Sequence, residues 1–184
     1  FSGHKFHAVR GVGFVYKKSG KKITPLLTGG GQEKDFRSTT ENVAGIASMA
    51  KALRLVTDKE AFSLPKIAKM KKIIFDELAK YEDITIFSGE GEDFAPNILT
   101  FGIKGVRGEV VVHAFEEHQI YISTTSACSS KAGKPAGTLI SMGIPTKLAQ
   151  TAVRISLDDD NDMGQVEQFL TIFKQVYAKT QKVR

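Results

Sequence analysis

The sequence predicts an α/β fold whose second half is a compact two-layer sandwich. Three observations predict it. From Ile84 onward, short β-branched and aromatic runs alternate with segments of helical spacing. Two segments, Phe62 to Tyr81 and Met163 to Lys179, each carry one apolar stripe at intervals of three and four. The 184 residues are 41% hydrophobic and 25% charged, a globular balance, with no apolar run long enough to span a membrane.

The elements follow in order. Gly11 to Tyr16 reads as a strand, and Lys17 to Lys22, around Ser19-Gly20, as a hairpin-like turn. Thr28-Gly29-Gly30-Gly31-Gln32 is a glycine-rich loop. Asn42 to Leu55 has helical spacing through Val43, Ile46 and Leu53. Phe62 to Tyr81 is a long amphipathic helix with Leu64, Ile67, Met70 or Lys71, Ile74, Leu78 and Tyr81 on its stripe. Ile84 to Phe87 and Ile98 to Ile103 are strands, and Gly108 to His118 is a helix bearing Val111, Val112 and Phe115. Ile120 to Ser123 is a third strand. Thr138 to Met142 and Thr146 to Ala149 are short helical pieces. Ala152 to Leu157 is a fourth strand, broken by Asp158-Asp159-Asp160-Asn161, and the last helix carries Val166, Phe169, Phe173 and Val176.

The net charge of +6 is spread over lysine clusters without stacking aromatics, which reads as a solvated face and not as a nucleic-acid site. One cysteine excludes an internal disulfide, and the histidines lack metal-ligand spacing, so no metal is expected. No targeting pattern is read, and the expected compartment is the cytoplasm.

Two short segments carry chemistry. Cys128 stands in Ser126-Ala127-Cys128-Ser129-Ser130-Lys131, among small polar residues with lysines close behind. Positive charge favours the thiolate, which is the nucleophile, although an inert half-exposed thiol is the alternative. Ser2-Gly3-His4-Lys5 precedes the first strand. A lysine amine can form an imine with an aldehyde cofactor while hydroxyl and imidazole hold a phosphate; a plain surface lysine is the alternative.

These segments, in this order, resemble the cysteine desulfurases, pyridoxal-phosphate enzymes of the class V aminotransferase family. The resemblance rests on Ser2-Gly3-His4-Lys5-Phe6-His7 with Gly11-Val12-Gly13, and on Gly29-Gly30-Gly31-Gln32-Glu33 with Arg37-Ser38-Thr39-Thr40-Glu41-Asn42. It continues through Gly105-Val106-Arg107-Gly108-Glu109-Val110, the Cys128 segment and Val153-Arg154-Ile155-Ser156, covering essentially the whole chain. Val9 and Arg10 replace the family's usual proline and lysine, and Thr39 replaces its usual glycine.

The resemblance implies the rest. Lys5 would hold pyridoxal 5'-phosphate and move the substrate alpha-proton; Ser2 and His4 would contact the phosphate. Thr40 would reach the phosphate of a neighbouring subunit in a homodimer. Arg154 would clamp the substrate alpha-carboxylate, where the residues alone suggest a partner such as Asp158. Cys128 would take sulfur from L-cysteine as a persulfide, leaving alanine, and pass it to an acceptor protein such as an iron–sulfur scaffold or a tRNA-thiolation enzyme. The fold implied is the C-terminal part of a fold-type I transferase: residues 1–60 end the large cofactor domain, and 61–184 form the small α/β domain. The family's remaining cofactor contacts come from sequence before the lysine, so the chain reads as the later portion of a longer enzyme, inactive alone. Alternatives are a selenocysteine lyase, another fold-type I enzyme, or a non-catalytic sulfur-accepting or binding fragment.

Overall fold

The computed structural model of the chain describes residues 1–91, 93–124 and 137–181. Cys128 therefore lies outside the described residues. The chain divides into two compact units, Phe1–Ala61 and Phe62–Arg184.

The first unit opens with a 3-10 turn, Gly3–Phe6, that returns the chain alongside its own start. Ser2 and Gly13 form an isolated antiparallel bridge, and the Phe1 and Phe14 backbones bond each other in both directions. A Cβ on Gly13 would run into the Phe1 carbonyl, so only glycine permits this approach. The rings of Phe1 and Phe14 stack at 4.6 Å. The strand expected over Gly11–Tyr16 is reduced to that one bridge. A ladder needs a neighbour along its length, and among the described residues none pairs with Val15 or Tyr16, which are exposed. The expected turn at Lys17–Lys22 is present, with Gly20 left-handed and the Lys21 N–H donating to the Lys18 carbonyl.

A single helix, α1, runs Val43–Leu78 where the sequence suggested two. The residues between the two apolar stripes, Thr57-Asp58-Lys59-Glu60-Ala61, break the stripe but contain no helix breaker. Asn42 caps α1, its Oδ1 accepting the Gly45 N–H at 3.0 Å. The division between the units falls at Ala61, four residues before Pro65, whose ring nitrogen has no hydrogen to bond the Ala61 carbonyl.

The second unit is an α/β layer pair. Strands β1 (Ile84–Ile86), β2 (Ile98–Ile103), β3 (Ser123–Thr124) and β4 (Ala152–Ser156) make one antiparallel sheet in the order β1-β2-β4-β3. Period-two alternation decides what each face carries. Leu99, Phe101, Ile103, Val153 and Ile155 point into a core shared with Ile67, Met70, Ile74 and Leu78 of α1. Helix α2 (Gly108–Glu116) adds Val111, Val112 and Phe115, and helix α5 (Met163–Gln181) adds Val166, Phe169, Phe173 and Val176. Phe173 lies at the centre, fully buried, with Tyr81, Phe101, Phe169 and Tyr177 around it. Helix α5 starts from a capping box: Asp162 accepts the Gln165 N–H, and the Gln165 side chain accepts the Asp162 N–H.

The opposite face of the sheet carries Thr100, Gly102, Ala152 and Arg154. Short helices α3 (Gly137–Ser141) and α4 (Thr146–Ala149) cover part of it, with Leu139, Ala149 and Ala152 packing against Phe87 and Ile144. The third strand is shorter than expected and shifted to Ser123–Thr124. Among the described residues it pairs with Arg154 and Val153 of β4.

Candidate functional site

Ser2, His4 and Lys5 belong to one turn. Gly3 is buried at its root, its N–H donating to the Val12 carbonyl at 2.9 Å. His7 ends the turn in the left-handed conformation. The turn leaves Ser2, His4 and Lys5 exposed. Among the described residues, no hydrogen bond or ion pair occupies the Ser2 hydroxyl, the His4 imidazole or the Lys5 amine. The Val9 N–H, just past this turn, reaches the Ser48 hydroxyl of α1 at 3.4 Å.

Thr40 is exposed, three residues before α1 begins. It does not cap the helix, because Asn42 does. Its neighbour Thr39 accepts a hydrogen bond from the Arg37 guanidinium and is not among the residues with positive φ. A glycine is thus not required at that position. The preceding glycine-rich loop is more unusual: Gly31 is left-handed, and so are Glu33, Lys34 and Asp35.

Arg154 sits in the second unit, in the middle of β4. Its register partners are Thr100 on β2 and Ser123 on β3, so the three form one row across the sheet face turned away from the core. The Arg154 Nε is buried and has no hydrogen-bond partner. Among the described residues no carboxylate pairs with it, so the expected alternative of an Asp158 bridge is not formed. The Asp158 backbone N–H instead donates to the Asn161 side chain, which shapes the turn before α5. Buried guanidinium donors are ordinarily satisfied, and a planar anion such as a carboxylate is the acceptor that suits their fork.

The Arg107-Gly108-Glu109 motif serves packing in this unit. Gly108 opens α2 with its N–H on the Gln150 carbonyl at 3.0 Å, and Arg107 bonds Glu109 at the surface. Thr100 and Ser123 were not singled out in the sequence. A hydroxyl at Thr100 inside the apolar run Ile98–Ile103 is the signal, because alternation places it opposite Leu99 and Phe101.

Both sets of residues fit a phosphorylated aldehyde cofactor and an amino-acid substrate. The first turn supplies an unengaged amine beside a hydroxyl and an imidazole. The second unit supplies a guanidinium whose buried donor lacks an acceptor. No group of acidic, histidine or cysteine side chains able to hold a metal occurs among the described residues. Among them, no helix is long and apolar enough to cross a membrane.

The profile of the family described as Aminotransferase class-V matches residues 1–169. The chain is 46% identical over 183 residues to a protein of Lactobacillus delbrueckii subsp. bulgaricus named "NifS/IcsS protein homolog", covering 100% of this chain and 48% of that protein. It is 30% identical to the cysteine desulfurase IscS of Clostridium botulinum, covering 99% of this chain and 46% of that one. Among solved structures, one described as a NifS-like protein superposes with a TM-score of 0.79 at 30% identity, over 97% of this chain and 45% of that chain. The chain spans about half the length of the curated relatives it matches.

Proposed function

From the premise that this chain belongs to the class V aminotransferase family, we propose that it is the lysine- and cysteine-bearing portion of a cysteine desulfurase. The complete enzyme converts L-cysteine to L-alanine and leaves the sulfur as a persulfide on Cys128. The observation that carries this reading is Arg154, a guanidinium with a buried Nε and no protein acceptor, on the sheet face away from the core. An amino-acid carboxylate supplies the acceptor it lacks.

When bound, pyridoxal 5'-phosphate supplies an electron sink for the substrate carbon. The chain's own residues do the rest. Ser2 and His4 would donate to the phosphate, and Thr40 would reach that of a neighbouring subunit in a homodimer. Lys5 would anchor the cofactor and would carry the substrate alpha-proton. Arg154 orients the substrate through its carboxylate. The Cys128 thiolate bonds to the substrate sulfur as the carbon–sulfur bond breaks. The bonding pair stays with the carbon fragment, which takes up a proton and leaves as alanine. The persulfide sulfur then passes to an acceptor protein, an iron–sulfur scaffold or a tRNA-thiolation enzyme. A thiol that must stay reduced between turnovers suits the cytoplasm.

Borohydride reduction of the complete enzyme containing this chain, followed by peptide mapping, tests the assignment. The cofactor mass is expected on Lys5. Its appearance on another lysine would overturn the assignment of Lys5.

A further inference from the structure

Lys71 is a lysine of α1 buried to 6% exposure, and among the described residues no carboxylate forms an ion pair with it. Its ammonium donates to two backbone carbonyls, Gly89 at 3.2 Å and Ala95 at 2.9 Å. Burial pushes its pKa below the ordinary value, against the opposing pull of the Glu90 charge. Enclosing a charge is costly, and an apolar side chain would fill the same space at lower cost. The lysine therefore fixes geometry, and the geometry it fixes is the connection between β1 and β2.

That connection leads to Arg154 in two steps. The β1–β2 ladder ends at the pair Ile86 and Phe101. Beyond it, Phe87 and Ser88 hold Thr100 on their own terms: both N–H groups donate to the Thr100 carbonyl, and the Ser88 hydroxyl accepts the Thr100 N–H at 2.8 Å. The next residue is Gly89, tied by Lys71 and closed over by the Phe94 ring, which occupies the place a Cβ would take. Thr100 in turn stands opposite Arg154.

We propose that Lys71 is a positioning residue for the Arg154 anion site, acting through Gly89, Ser88 and Thr100. The proposal rests on the reading of Arg154 as the substrate-carboxylate group. Phe87, at the start of the same connection, also packs on the Leu139, Ala149 and Ala152 cluster, so the loop that Lys71 ties braces this sheet face at a second point.

The test uses Lys71→Met and Lys71→Arg in the full chain. In Lys71→Met, the Thr100 amide is expected to exchange about tenfold faster while the α5 amides stay protected. The Arg154 Nε–H resonance, assigned by its loss in Arg154→Lys, is expected to shift. Lys71→Arg, which can still donate to both carbonyls, restores both readouts. If Lys71→Met does not fold, Ser88→Ala removes the Thr100 acceptor without opening the buried lysine site, and the same two readouts apply. Unchanged Thr100 exchange together with an unmoved Arg154 resonance would overturn the proposal. In the complete enzyme, Lys71→Met is expected to raise the KM for cysteine about fivefold with little change in kcat. An equal loss in both would mark a merely structural role and overturn it. Failure of the substrate reading is separate: it shows as an unchanged KM in Arg154→Lys, whatever the resonance does in Lys71→Met.

Discussion

Thr100 stands directly opposite Arg154 in the β2–β4 ladder, on the sheet face that the core does not use. Thr100 is almost fully buried, and the Arg154 Nε beside it is buried without an acceptor. Among the described residues the Arg154 guanidinium enters no ion pair, which supports the proposed role as a carboxylate clamp.

Arg154→Met is accordingly expected to leave the stability of the chain within about 1 kcal/mol of the parent, or to raise it, because the substitution removes an unsatisfied donor. Breaking a paired buried arginine would cost about 3–5 kcal/mol instead. Urea denaturation distinguishes the two. In the complete enzyme the same substitution is expected to weaken cysteine use roughly a hundredfold, the loss of a bidentate charge-assisted contact worth about 3 kcal/mol.

Gly102 offers a second test. A Cβ there would run into the Thr151 hydroxyl, which is itself held by the Leu148 carbonyl at 2.7 Å. Gly102→Ala is expected to cost about 1–3 kcal/mol through overpacking. Adding Thr151→Ala should recover part of it, and a double-mutant cycle by urea denaturation measures the coupling.

Phe173 is the centre of the aromatic cluster and fully buried. Phe173→Ala is expected to cost about 3–5 kcal/mol. The measurement is the denaturant midpoint, with the slope unchanged if the unfolded state is unaffected.

Glu77 joins Lys80 and Lys174 at the side of α1, and the Lys80 hydrogen bond first, then Lys174, holds its carboxyl below the ordinary 4.5. A carboxylate with a lowered folded-state pKa stabilises the fold above 4.5, and that contribution is lost as pH falls through its folded value. Glu77→Gln should thus unfold at a lower temperature than the parent at neutral pH, with the gap closing as the solution is acidified. Lys71 gives the opposite sign at the other end of the scale. Its folded pKa lies below 10.5, so the unfolded state binds more protons and stability rises with pH up to about that value. Lys71→Met should lack this rise, which thermal melts between neutral pH and about pH 10.5 would resolve.

Much of this molecule was legible in its sequence, and the limits are physical. Three of the four strands and the long helices of the second unit declared themselves because their apolar residues must line one core, as Leu99, Phe101 and Phe173 do, whereas the third strand falls on the polar pair Ser123–Thr124 and was misplaced. The candidate residues Ser2, His4, Lys5, Thr40 and Arg154 come from motif order alone; of the bland alternatives, Thr40 as helix cap is not formed, because Asn42 caps α1. The strand at Gly11–Tyr16 was not realised, since local alternation cannot supply a neighbour to pair with. The continuity of α1 was missed because a stripe can lapse while helix propensity persists. The tie from Lys71 to Gly89 and Ala95 was only half legible: helical spacing offers Met70 or Lys71 to the buried stripe, but a lysine in a basic cluster looks solvated until the loop that covers it is known.

The most direct measurement follows sulfur. The complete enzyme containing this chain is given pyridoxal 5'-phosphate and L-cysteine, and the peptide bearing Cys128 is weighed by mass spectrometry under non-reducing conditions. The account predicts a gain of one sulfur atom on Cys128, matched by released alanine and abolished in Lys5→Ala. Alanine formed at the parental rate in Cys128→Ala, or an unmodified Cys128 while alanine accumulates, would contradict it.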